Sequence, residues 1–238
     1  FAGPPAHWGR EAIDCAVSDI RAEQQQEDLM KKQKNIRYLT ELSLLVAITL
    51  VMAYTPLGYL KTPVLNLSFL TVPVAIGAML LGPAAGAILG LVFGLTSFAE
   101  AFTGGGMKAM LLTLNPAACF VTTVVARVLC GLLCGLVFAA LAKLTKGHSA
   151  AYVLGALSCP FFNTLFFMGF IMLFYYGTDY VQGFCATYGV SNPFSLVLAM
   201  VGLQGSIELV VCGLLASAVS KAVSLALGKS PVLKDSKA

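Results

Sequence analysis

The sequence predicts an all-α integral membrane protein, a six-transmembrane-helix bundle, and three observations carry that prediction. Of 238 residues, 58% are apolar and 11% charged, against roughly 25% charged in soluble domains. Between Tyr38 and Ser220 only nine charges occur: Glu41, Lys61, Glu100, Lys108, Arg127, Lys143, Lys146, Asp179 and Glu208. So few cannot solvate a soluble surface of that size. The apolar runs also follow one another with short breaks. Each must satisfy its own backbone hydrogen bonds in lipid, as a helix does.

Residues 1–35 read as a polar extension without fixed structure, 36–228 as the membrane domain, and 229–238 as a tail. The extension has no apolar core after a basic start, so it does not read as a signal peptide. Met30, followed by Lys31, Lys32, Gln33 and Lys34, reads as a natural start, which would make residues 1–29 upstream of the native protein.

The first span, 38–57, ends at Thr55-Pro56-Leu57-Gly58, where Pro and Gly punctuate a helix. The second, 69–81, falls short of a ~20-residue crossing, so it is buried among neighbours or extended by irregular backbone in the preceding loop. The third, 83–101, opens on Pro83, where a missing N–H costs nothing. The fourth, 116–142, opens on Asn115 as cap and Pro116 as first residue. The fifth, 150–177, and the sixth, 194–227 after Ser191-Asn192-Pro193, are long enough to tilt.

Six spans put both termini on one side. Lys31, Lys32, Lys34, Arg37, Lys143, Lys146, Lys221, Lys229, Lys234 and Lys237 fall there, and only Lys61 and Lys108 opposite. The positive-inside rule makes that side cytoplasmic, so the connections 58–68, 102–114 and 178–193 face outward. The same rule explains the net charge of +4 without nucleic acid.

Gly82, Gly86, Gly90 and Gly94 recur at every fourth position of the third span, and Gly131 and Gly135 echo them in the fourth. A ridge without side chains lets another helix approach closely, either within the bundle or on a partner. Polar residues inside the membrane point more sharply to function, because each is costly without a partner. Arg127 lies twelve residues into the fourth span from Asn115, ~18 Å deep at ~1.5 Å per residue and so near the midplane. Asn163 reaches a similar depth from the other side, and Gln204 and Glu208 lie one turn apart on one face of the sixth span. Arg127 suits either a buried ion pair with Glu208 or a ligand carboxylate or phosphate. Around Asn163 the run from Phe161 to Tyr176 is dense in aromatics, which suits a pocket or lipid. Tyr175, Tyr176, Tyr180 and Tyr188 fit an outer interfacial belt.

No catalytic signature, metal set or cofactor motif is found. Cys130 and Cys134 lie one turn apart in an apolar segment and read as packing residues. His7 and His148 lie outside the spans. Gly228-Lys229-Ser230 mimics a phosphate-binding loop but lacks the upstream Gly, position 223 being Val223. The chain therefore reads as no enzyme.

Thr55-Pro56-Leu57-Gly58, then Leu80-Leu81-Gly82-Pro83-Ala84-Ala85-Gly86-Ala87, then Gly90-Leu91-Val92-Phe93-Gly94-Leu95-Thr96-Ser97-Phe98, resemble the substrate-binding S component of energy-coupling-factor (ECF) vitamin transporters, over about residues 36–227. Asn163-Thr164 and Glu208 resemble positions of the branch that includes pantothenate carriers. The resemblance implies a six-helix bundle that captures a vitamin from outside and associates with a membrane coupling subunit and two cytoplasmic ATPases. It also implies docking through an Ala-x-x-x-Ala motif on the first span, matched here by Ser43 and Ala47. The alternative is a self-sufficient, proton-coupled secondary carrier of a small anionic solute, with Arg127 and Glu208 as the proton relay.

Overall fold

A computed structural model describes residues 7–55, 58–61, 66–103, 107–145 and 149–226. The Gly104-Gly105-Gly106 run, Lys146 and the tail 229–238 lie outside them. The chain divides into units 1–43 and 44–238, and the bundle belongs to the second.

Helix α1, His7–Tyr54, starts far upstream of the expected residue 38. Residues 10–54 hold neither Gly nor Pro, and Glu27–Lys31 and Arg37–Glu41 form i,i+4 ion pairs at 3.7 and 3.0 Å. An antiparallel hairpin follows, β1 Tyr59–Lys61 and β2 Asn66–Ser68, with Leu60 opposite Leu67. Then come α2 Thr71–Leu81, α3 Pro83–Thr103 and α4 Met107–Leu114. The next span joins α5 Pro116–Phe120, a π-turn Val121–Val125 and α6 Ala126–Leu144. Helices α7 Ser149–Tyr175, α8 Asp179–Tyr188 and α9 Pro193–Ala226 complete the chain.

Among the described residues five helices are long and apolar enough to cross a membrane, and α2, at 11 residues, is shorter. Of the two alternatives for the second segment, burial among neighbours holds, and the backbone before it is a regular antiparallel pair rather than irregular. Eight residues of α2 are buried, and hairpin backbone precedes it. Helices begin at Pro83, Pro116 and Pro193, and Asn115 Oδ1 accepts the Ala118 N–H at 3.1 Å.

The glycine ridge packs inside the bundle. A Cβ at Gly86 would overlap the Gly131 carbonyl, and one at Gly90 the Arg127 carbonyl. At Gly94 it would lie 2.7 Å from Val124 Cα, and at Gly135 2.6 Å from Pro83 Cα. Helices α3 and α6 thus meet backbone to backbone, antiparallel. The π-turn sits on this seam opposite Gly94, where Thr122 and Thr123 hydroxyls donate back to the Ala118 and Cys119 carbonyls at 2.8 and 2.7 Å.

Helices α6 and α7 run antiparallel in a register set by three contacts. The Phe138 and Tyr152 rings lie 5.2 Å apart, Cys134 Sγ donates to Gly155 O at 3.5 Å, and Cys130 Sγ to Cys159 O at 3.1 Å. The cysteines thereby pack two helices together. Helix α9 joins α7 through Tyr152 and Ser224, whose hydroxyls lie 2.9 Å apart, and through Gly205, within van der Waals reach of Thr164.

The connections at the far end, read as loops, contain α4 and α8. Helix α8 is capped by the Thr178 hydroxyl, which accepts from the Val181 N–H at 3.5 Å, and by left-handed Gly189 (φ 63). Tyr175 departs from the interfacial belt. It is 1% exposed, and its hydroxyl donates to the Leu111 and Asn115 carbonyls at 3.0 and 2.9 Å, tying α4 to α7. A small apolar crevice between α4, α7 and α8 has about 10 Å³ of open space, one water's worth.

Candidate functional site

Following the α6–α7 register one turn past Cys130 and Cys159 brings Arg127 level with Asn163. The Gly205–Thr164 contact puts Glu208 within a turn of the same level. Helix α2 begins just below, since Cys159 Sγ donates to the Thr71 carbonyl at 3.5 Å and Cys212 Sγ to the Ser68 carbonyl at 3.5 Å. Three of the four predicted residues therefore lie within about one turn of a common level. The Gln204 side chain lies outside the described residues, although its backbone sits on α9 one turn from Glu208.

Arg127 is 5% exposed, and its helix shapes its pose. Its Nη1 donates to the Thr122 carbonyl at 3.0 Å, five residues back on its own chain, across the π-turn. The guanidinium carbon lies 4.3 Å from the Phe167 ring centroid and 5.2 Å from that of Phe93. A cation between two aromatic faces keeps its charge in an apolar interior. Among the described residues no ion pair joins Arg127 to Glu208, which was one of the two readings the sequence offered for Arg127.

Asn163 and Glu208 are 8% and 7% exposed. Asn163 Oδ1, Glu208 Oε1 and Ser68 Oγ are buried with no hydrogen-bond partner among the described residues. Buried polar atoms in that state call for a ligand or water. Of the aromatic run, Phe167 turns inward to Arg127, whereas Phe162, Phe166, Phe170 and Phe174 form an i,i+4 ladder with centroids 6.0 to 6.3 Å apart.

Sequence reasoning missed the α4 contribution. Lys108 Nζ donates to Glu100 Oε2 at 2.7 Å and to Ser97 Oγ at 3.0 Å. Burial holds the Lys108 ammonium below the usual lysine range, the Arg127 charge adds to that, and Glu100 opposes it. The available signal was that Lys108 is one of only two cations on its side of the chain. The predicted docking residues Ser43 and Ala47 are both exposed on α1.

The family model of the ECF transporter, substrate-specific component, matches residues 37–220. The chain belongs to this family. It is therefore a multi-pass membrane protein, and the family comprises transporter components rather than enzymes. Membership implies that this S component binds a substrate and associates with an ECF module. No curated protein matches the sequence.

Proposed function

We propose that this S component captures a water-soluble vitamin bearing a carboxylate, pantothenate before others, and delivers it through an ATP-driven module of a membrane coupling subunit and two ATPases. Arg127, Asn163, Gln204 and Glu208 form the vitamin site, with both chain termini in the cytoplasm and the module docking at Ser43 and Ala47. The observation that carries the reading is Arg127, buried against two rings and within about a turn of acceptor oxygens that have no hydrogen-bond partner among the described residues. A guanidinium in that position matches a ligand carboxylate, while Asn163 and Glu208 suit the hydroxyls and amide of the same molecule. Helix α1 supports the docking part of the reading, since Leu44, Ile48 and Val51 are exposed beside the two small residues.

Calorimetric titration with pantothenate tests the site. Arg127→Met should stay folded, with Phe93 and Phe167 closing on an apolar chain, and lose affinity at least about tenfold, or ~1.4 kcal/mol. Unchanged affinity would remove Arg127 from the site. Uptake that survives ATP depletion but not a collapsed proton gradient would favour the secondary-carrier alternative.

A further inference from the structure

We propose that Lys108 is a second cationic ligand group of this site, which exchanges its Glu100 partner for the carboxylate of the incoming molecule. The proposal rests on the carboxylate reading above and adds a residue and an exchange step to it.

The argument starts from the α3–α6 seam. Gly90 lies against Arg127 and Gly94 against Val124, so Ser97, one turn on, is level with residues 120–121. The Arg127 side chain folds back toward that level, because its Nη1 bonds the Thr122 carbonyl. Lys108 Nζ, bonded to Ser97 Oγ, is therefore offset along the seam from the Arg127 guanidinium by about one helical turn, ~5 Å of rise. The Arg127 charge does act on Lys108. The backbone beneath Lys108 is fixed as well, since Cys119 Sγ contacts its carbonyl at 3.9 Å and Tyr175 holds the end of α4.

Two cations on neighbouring levels of one seam repel unless an anion lies between or beside them, and Glu100 is the carboxylate bonded to Lys108. The pair stands at the threshold of the site. Lys108 and Glu100 side chains are 24% and 28% exposed, whereas Arg127 is enclosed. A carboxylate arriving from the α4 end meets Lys108 first and Arg127 next, and it can take the position Glu100 holds on Lys108. Glu100, being partly solvated, can turn to water at small cost. The exchange is of hydrogen-bond partners only, with no bond made or broken in the ligand.

The exchange predicts opposite effects for the two halves of one ion pair. In full-length protein in detergent, titrated with pantothenate, Lys108→Met should weaken binding at least about tenfold, as loss of a charge-assisted bond does. Glu100→Gln removes the internal competitor and should leave affinity unchanged or raise it several-fold. Pantothenol, which carries a hydroxymethyl in place of the carboxylate, should bind wild type and Lys108→Met alike. Three results would each overturn the proposal: wild-type pantothenate affinity in Lys108→Met, an equal loss of pantothenol binding in that variant, or a loss in Glu100→Gln as large as in Lys108→Met. The last would mark a pair that only braces α4. If wild type binds no pantothenate, that vitamin is wrong, and acetate then serves as a bare carboxylate probe. Acetate should raise the thermal midpoint of wild type and not of Lys108→Met, and equal shifts would refute the role of Lys108.

Discussion

Replacing Gly90 by Ala should destabilise this protein, although Ala is the better helix former by ~1 kcal/mol. The reason lies in the seam. A methyl at position 90 would overlap the backbone carbonyl of Arg127, with Val128 Cα 3.2 Å away. Backbone cannot swing aside as a side chain does, so α3 and α6 must separate. Overpacking of this kind costs about 3 kcal/mol at the upper end, which leaves a net loss of ~2 kcal/mol after the propensity gain. Gly169 is the matched control, since it lies in the interior of α7 with nothing within 4 Å of its would-be Cβ. There Ala should stabilise by ~0.5–1 kcal/mol. Unfolding midpoints of both variants in one detergent give a difference of ~3 kcal/mol with opposite signs about wild type. A Gly90→Ala protein as stable as Gly169→Ala would show that the two helices do not meet as closely as described.

Three further predictions concern docking, orientation and charge. Ser43→Trp or Ala47→Trp should abolish uptake in cells while calorimetric ligand binding persists, because bulk on a small-residue surface blocks helix approach; normal uptake in both would clear that surface of a role. A thiol reagent that cannot cross membranes should label a Cys introduced at Thr103 and spare one at Thr145, and the reverse pattern would invert the topology. Lys108 should lose its proton below the ~10.4 of free lysine, because its folded value is lowered, so carboxylate affinity should fall in that alkaline range. Over the same window native-state stability should rise, since the burden of a buried ammonium is present below the folded value and relieved above it. Lys108→Arg should hold affinity to higher pH, and identical pH profiles would exclude Lys108 as the titrating group.

The helical membrane fold was legible because lipid leaves few options and because Pro83, Asn115-Pro116 and Pro193 mark helix starts chemically. The depth expected for Arg127, Asn163 and Glu208 came from counting residues at a fixed rise, and the packing register puts Asn163 level with Arg127 and Glu208 within a turn of them. Three features were not legible. Helices α4 and α8 lie in segments too short for periodicity to speak, although Thr178 and Gly189 were cap signals in plain view. The π-turn has no signature in Val121-Thr122-Thr123-Val124-Val125, because it arises where that stretch meets Gly94 on another helix. The aromatic partners of Arg127 depended on which way α7 is rotated, and a run with Phe or Tyr at eight of sixteen positions does not disclose that.

The shortness of α2 sets a capacity. Its 11 residues rise ~16 Å, whereas a crossing takes ~30 Å, so nearly half of one helical column is left unfilled by helix. What that column holds beside the helix is set by the hairpin β1–β2, which precedes α2 and reaches α9 where Cys212 Sγ donates to the Ser68 carbonyl. Changes at the described hairpin residues 58–61 and 66–68 should then alter that capacity with every membrane helix left as it is.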